Sequence, residues 1–443
     1  MNRRQDRALL AITAEGFLSR LSFGLINLAL PLYALKLHMN ITEIGALTSI
    51  NIVIQIALKP FMGAIADRFG ARRSLLWAIA LRSIVPLLFV IAHVPWQLFA
   101  IRLFYGITQS WRDPALNAVI AEVGGKKKVA SAFAWYHTAK NTASSIGRAI
   151  AGVLLSVTAA NYPLVFAIGF LLSILPLVPV WRGLPADPPR SPRIVEARAV
   201  GSVLMPSTMF DLRVLRFSFL GFLYGLTAGM LALFPVIAKQ NFGLTPAEIG
   251  VIMLVSTVVV LISGPLFGWL ADNVNRNVVL LVRAAANTCS SIVLMVAHGA
   301  VMVGSGRAVD DMGKAAFRPA WGSIMAEVAS LDKRTRARTM SLIDVGEDTG
   351  DALGPVLAGA LIASGGLIVM LAVRVALAVT TEAATWMFTH RRQPTANPMA
   401  TVALAHDGPS RAFGWSPPCG LEPTAPWPLE PSLPQPMGEP VLQ

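Results

Sequence analysis

Cysteine is almost missing from this chain: it has two, Cys289 in an apolar segment and Cys419 in a polar tail. Two thiols placed so far apart exclude a disulfide framework and a thiolate metal site. Histidine is scarce, at six residues, so soft or imidazole-rich sites for zinc or copper are not expected inside the apolar segments. No Walker loop, dinucleotide fingerprint or paired nucleophile and base occurs in the sequence. Primary pumping and enzymatic catalysis are therefore not expected, and no cofactor is implied. A cleavable leader is not expected either. The N-terminus MNRRQDR is basic, but Leu9–Leu37 is too long for a leader's apolar region and has no small-residue cleavage site, so it reads as a retained first span. Charge itself is thin, at 14% of residues.

What fills the chain instead is apolar. Hydrophobic residues make up 54% and the mean hydropathy is +0.60, which points to an all-α membrane protein with many passes. The net charge of +13 would suit nucleic acid only if the positives gathered on one face. They fall between apolar runs, as a topology signal places them, so lipid and no nucleic acid is the expected surroundings. A spanning helix needs about 20 mostly apolar residues. Spans are expected near 9–37, 41–66, 74–93, 96–121, 129–158 and 162–181, then near 216–239, 246–271, 277–297, 300–328, 338–363 and 366–389. That makes twelve.

Lys and Arg alternate between the loops. Arg3, Arg4 and Arg7 precede the first span, Arg68, Arg72 and Arg73 follow the second, Lys126-Lys127-Lys128 follow the fourth, and Lys333, Arg334, Arg336 and Arg338 follow the tenth. The alternate loops at His93-Val94-Pro95, Ala160-Asn161-Tyr162 and Ser364-Gly365-Gly366 carry none. Both termini are expected in the cytoplasm, with the chain in a bacterial inner membrane or one derived from it.

The sequence also repeats. Glu43-Ile44-Gly45 returns as Glu248-Ile249-Gly250, Asp67 as Asp272, His93 as His298, Arg102 as Arg307 and Pro114 as Pro319, always 205 positions on. Gly147 and Gly152 return as Gly354 and Gly359, 207 positions on. This register divides the chain into an N-terminal six-helix half, 1–181, a proline- and arginine-containing cytoplasmic linker, 182–215, and a C-terminal half, 216–390. The remainder, 391–443, is crowded with proline and is expected to be a disordered tail, whether unselected or a docking segment.

One loop organises the rest: Lys59–Arg73, KPFMGAIADRFGARR. Its skeleton is Gly63, Asp67, Arg68, Gly70, Arg72 and Arg73, and Gly264–Arg276 repeats part of it at Gly268 and Asp272. An ordinary basic loop between two spans is the alternative. The pattern resembles the signature loop of the major facilitator superfamily. That resemblance implies two parallel six-helix halves rocking about a central site, with spans one, four, seven and ten lining the cavity. It implies that Asp67 locks one state against the start of span eleven, and that Asp272 mirrors it more weakly against span five. Arg102-Leu-Phe-Tyr-Gly106 resembles the family's Arg-x-x-x-Gly motif, with snorkelling of Arg102 to the surface as the rival reading. Gly350-x-x-x-Gly354-Pro355 is similar to the antiporter motif of drug exporters, which carry it in span five, where this chain has Gly147-Arg148.

Ionisable residues inside a bilayer are costly and mark functional sites by default. Asp344, Glu347, Asp348 and Asp351 share one face of span eleven. Span ten carries Asp310, Asp311, Lys314 and Arg318, span four Arg112, Asp113 and Asn117, and span five Lys140, Asn141 and Arg148. Pointing inward, with Arg20 and Arg102, they would give one cationic and one anionic wall. Ion pairing of Lys314 and Arg318 with Asp344 or Asp348 is the structural alternative. The reading is a secondary transporter of a small polar or charged solute, proton-driven, with Asp311, Glu347, Asp348 and Asp351 as proton sites and Lys140 and Arg112 holding substrate. Two rivals stand beside it: transport of iron or manganese by the same carboxylates, and a transport-dead scaffold or sensor. A monomer is expected.

Overall fold

The computed structural model describes residues 3–185, 212–273, 276–330 and 336–390. Side chains at some helical positions, among them Asp67, Arg68, Asp272 and Arg318, lie outside the described set. Among the described residues all regular structure is helical. In order these are α1 (Arg3–Lys36), α2 (Ile41–Phe69), α3 (Ala71–Val90), α4 (Pro95–Val157), α5 (Tyr162–Ile174) and α6 (Leu177–Gly183). There follow α7 (Leu212–Gly229), a 3-10 turn (Met230–Leu233), α8 (Phe234–Phe242), α9 (Pro246–Asn273), α10 (Arg276–Met295), α11 (Gly299–Ser330) and α12 (Arg336–His390). Seven stretches among the described residues are long and apolar enough to cross a bilayer. Met1–Arg391 is one unit; the other, Arg392–Gln443, lies outside the described residues, as does the linker between 186 and 211.

Helix starts are written locally. Asn40 caps α2, its side chain accepting from the Glu43 N–H at 2.8 Å while Glu43 accepts from the Asn40 N–H at 2.9 Å. The same box recurs at α9, where Glu248 accepts from the Thr245 N–H at 2.8 Å and its own N–H reaches the Thr245 hydroxyl at 3.3 Å. Such boxes satisfy orphan amides at a helix start. Between α2 and α3 the chain turns at Gly70, whose φ of 97° suits a residue without Cβ.

Two helices each run through two of the expected spans. The expected loop around Lys126-Lys127-Lys128 is helical backbone within α4, which runs for 63 residues. At 1.5 Å per residue a straight rod of that length would reach about 95 Å. Yet Arg112 and Tyr136, both on α4, hydrogen bond at 3.0 Å, so α4 doubles back between them. In α12 the expected break does occur, at Gly366, with φ 80° and ψ 178°.

Apolar packing is uneven along the bundle. One buried cluster joins both sequence halves: Leu25, Phe89 and Phe166 pack in the same core as Phe234, Ile249 and Met370. These residues sit near the α1–α2 turn and its counterparts. At the opposite helix ends the core separates in two. Ile12, Leu75, Leu116 and Val180 form one cluster, and Phe217, Val279, Phe317 and Ile343 form another. The bundle is knitted at one end and parted at the other.

Glycines draw the helices together where it is knitted. A Cβ on Gly147 would strike Leu21 and Gly24 of α1, and one on Gly354 would strike Gly229 of α7 and Met230 after it. The seams between halves use the same device. A Cβ on Gly45 would collide with the Pro355 carbonyl, one on Gly152 with the Pro246 carbonyl, and one on Gly359 with Ile41 and Thr42. Small residues let backbones approach in membrane helix pairs. On the outside, Trp77, Trp96, Trp181, Trp269 and Trp386 are exposed, as aromatic rings at a lipid boundary are.

Candidate functional site

A cavity of about 350 Å³ lies among α2, α7, α10, α11 and α12. Its wall carries Arg283, Arg307 and Lys314, the carboxylates Glu347 and Asp351, and the rings of Tyr224 and Phe317. Of the four acidic residues on one face of α12, Glu347 and Asp351 therefore reach this cavity. Asp348 turns instead to Lys59 of α2, 3.3 Å away, and Asp344 is exposed.

Behind the wall is a buried charge cluster. Asp310 on α11 is fully buried, and three cations surround it: Arg374 at 2.5 Å, Lys314 at 2.7 Å and Arg283 at 3.5 Å. Arg374 is also fully buried, donating to the Ser291 hydroxyl at 2.7 Å and the Thr227 carbonyl at 3.0 Å. Asp311, one residue on, pairs with Arg307 at 3.0 Å and Lys314 at 3.5 Å. Lys314 thus takes its partners from its own helix, at one-turn spacing. The alternative pairing with Asp344 or Asp348 is not the one formed, and Arg318's side chain lies outside the described residues.

The N-terminal half holds a second cluster. Arg112 does not face the cavity; it is buried, bound to Glu15 of α1 at 2.5 Å and to Asp113 at 3.3 Å, with the Tyr136 hydroxyl at 3.0 Å. Glu15 is fully buried, and its Oε2 has no hydrogen-bond donor among the described residues. Gln109 links outward, donating to Asp113 at 2.6 Å and accepting from Arg82 at 2.8 Å. Asp113 and Lys140 line a second pocket, of about 400 Å³, with Lys59, Asn117 and Tyr136. That pocket is distinct from the one holding Glu347 and Asp351, so the two expected walls do not enclose a single described cavity.

Arg102 does not snorkel. It is buried, donating to the Leu47 carbonyl at 3.3 Å and lying 5.7 Å from the Tyr105 ring. Its repeat partner Arg307 does likewise, reaching the Leu231 carbonyl at 3.4 Å and the Phe234 ring at 5.1 Å. Across the α4–α9 seam the Ser145 and Thr257 hydroxyls meet, and Arg148 donates to Ser145 at 2.8 Å. In the signature loop, Arg72 donates to the Trp181 carbonyl at 2.6 Å and Arg73 is exposed. The roles expected of Asp67, Arg68 and Asp272 fall on side chains outside the described residues, as do those at 338–340. Gly63 and Gly268 are helical positions of α2 and α9. Among the described residues no three Asp, Glu, His or Cys side chains converge as a metal cluster.

Sequence reasoning passed over Glu15, Arg82, Arg283 and Arg374. The signal was available, since each is an ionisable side chain inside an apolar run.

The sequence model of the Major Facilitator Superfamily matches residues 15–306 and 217–417. Multidrug resistance protein 1 of Bacillus subtilis (strain 168) is 24% identical over 371 residues, covering 81% of this chain and 90% of that protein. Quinolone resistance protein NorA of Staphylococcus aureus is 26% identical over 164 residues, 37% of this chain and 42% of that one. Among solved structures, a bacterial homologue of the human lysosomal transporter Spinster, inward-facing and unoccupied, superposes with a TM-score of 0.71 at 16% identity, covering 89% of this chain and 100% of that chain. The nucleoside transporter NupG superposes with a TM-score of 0.68 at 13% identity, covering 89% and 100%.

Proposed function

This chain belongs to the major facilitator superfamily, a family of membrane transporters and not of enzymes, and from that premise we propose that it moves a small polar or charged solute by proton-coupled alternating access. It is a multi-pass membrane protein, and a secondary transporter is the function its family supports. The finer reading rests on one observation: the cavity of about 350 Å³ presents three cations and two carboxylates beside two aromatic rings. Ligand cavities of that size are mostly apolar with a few convergent polar groups. Five ionisable groups in one membrane cavity suit a charged solute and the proton exchanged with it.

Counting α4 as two passes, α12 as two passes about Gly366, α5 with α6 as one and α7 with α8 as one gives twelve spans. With both termini cytoplasmic, the glycine seams close the outer face and the parted clusters open inward. Asp351 and Glu347 then carry the coupling proton, Lys314 and Arg307 meet the solute, and the carrier works as a monomer in the bacterial inner membrane. The Lys59–Asp348 pair bridges the halves below the seam. Iron or manganese as cargo lacks a supporting ligand cluster among the described residues.

The test is an uptake panel in membrane vesicles with an imposed pH gradient. Norfloxacin, uridine, ethidium and manganese serve as probes, because the relatives named above handle drugs or nucleosides. Gradient-driven accumulation of an organic probe, lost on Asp351→Asn while downhill exchange persists, is the expected result. Accumulation of manganese alone, or of nothing under any gradient, would contradict the proposal.

A further inference from the structure

Most carboxylates with described partners are clasped by cations. Arg112 holds Glu15 and Asp113, Arg374 and Lys314 hold Asp310, Arg307 holds Asp311, and Lys59 holds Asp348. Glu382 is different. It lies on α12 beyond Gly366, half-buried, next to the buried Thr381 and one turn from the buried Ala378 and Thr385. Its hydrogen bond comes from the Tyr224 hydroxyl at 3.3 Å, and no cation stands within ion-pair distance among the described residues. That hydroxyl also meets the Thr385 hydroxyl at 3.0 Å. From α10 the charge that faces Glu382 is Arg283, already engaged with Asp310. From α11 the neighbours of Tyr224 are the Phe317 and Trp321 rings, 4.3 and 5.6 Å between centroids.

A carboxylate anion in such a setting carries a desolvation cost that no ion pair offsets, and protonation removes it. A route to the cavity exists, because Tyr224 also lines the cavity wall, and a phenol both donates and accepts. We propose that Glu382 is a proton-binding site and that Tyr224 connects it to the cavity, an inference that rests on the proton-coupled reading above. Tyr224 passes its own proton to Glu382 Oε1 as it accepts one from a hydronium in the cavity. The phenol is neutral before and after, and the carboxylate becomes a carboxylic acid. Release reverses the same steps.

The experiment is infrared difference spectroscopy on the full-length protein in lipid nanodiscs, acid minus neutral, alongside probe uptake in vesicles. Wild type should gain a protonated-carboxyl stretch that Glu382→Gln lacks and that Tyr224→Phe shifts. Glu382→Gln should lower norfloxacin or uridine accumulation to the equilibration level while exchange continues. Should Glu382→Gln fail to fold, Glu382→Asp keeps the carboxyl but shortens it, and the band must move. An identical band in wild type and either Glu382 variant overturns the site. Wild-type vesicles that never concentrate a probe, with the band still tied to Glu382, refute proton coupling and leave the proton site standing.

Discussion

At the scale of the residue, the buried ion pairs decide most. Asp310 and Arg374 are both fully buried, and removing one partner of such a pair costs about 3–5 kcal/mol by leaving a charge in a dry site. Arg374→Met should therefore lower the yield of folded protein and its melting temperature in detergent. Asp310→Asn added to it should recover much of the loss. Equal melting of wild type and Arg374→Met would show that Lys314 and Arg283 satisfy Asp310 alone. The sequence displayed these charges but not their partners. Asp344, Glu347, Asp348 and Asp351 share a helix face by periodicity, and that much could be read directly. Which of them meets the cavity and which meets Lys59 depends on the approach of α2 and α7, which one helix's periodicity does not encode. Arg374 and Glu15 were harder, each a lone charge in an apolar run whose partner lies on another helix.

At the scale of the element, glycine sorts into two kinds. Gly147 and Gly354 sit where a Cβ would strike a neighbouring backbone, whereas nothing lies within 4 Å of one added at Gly264, and at Gly63 the nearest atom is 3.8 Å away. Backbone cannot retreat as a flexible side chain can, and tightly packed cores resist added methyl groups by about 1–3 kcal/mol. Gly147→Ala and Gly354→Ala should lower the melting temperature, and Gly63→Ala and Gly264→Ala should leave it near wild type. Thermal unfolding of the four purified variants checks this; equal losses in all four would contradict the close-approach account. The repeat of 207 positions already paired Gly147 with Gly354 in sequence. The starts of α2 and α9 were legible too, since caps such as Asn40 with Glu43 are local. A reversal between residues 121 and 129 was expected from the basic residues there, and the meeting of Arg112 with Tyr136 agrees with it. What the sequence did not display is that the backbone stays helical through the connection.

At the scale of the whole molecule, the account is that two halves part and close about a charged cavity. The shared apolar core and the glycine seams hold one end together, while the other end divides into separate clusters. Alternating access requires the knitted end to open once in each cycle. The Ser145 and Thr257 hydroxyls meet across the α4–α9 seam, which makes them a direct probe of that opening. In a chain with Cys289 and Cys419 first changed to serine, Ser145→Cys with Thr257→Cys should form a disulfide in membranes under mild oxidant. Uptake of the transported probe should stop when the bond forms and return when a reductant breaks it. Transport at the full rate through the cross-linked protein would contradict the account.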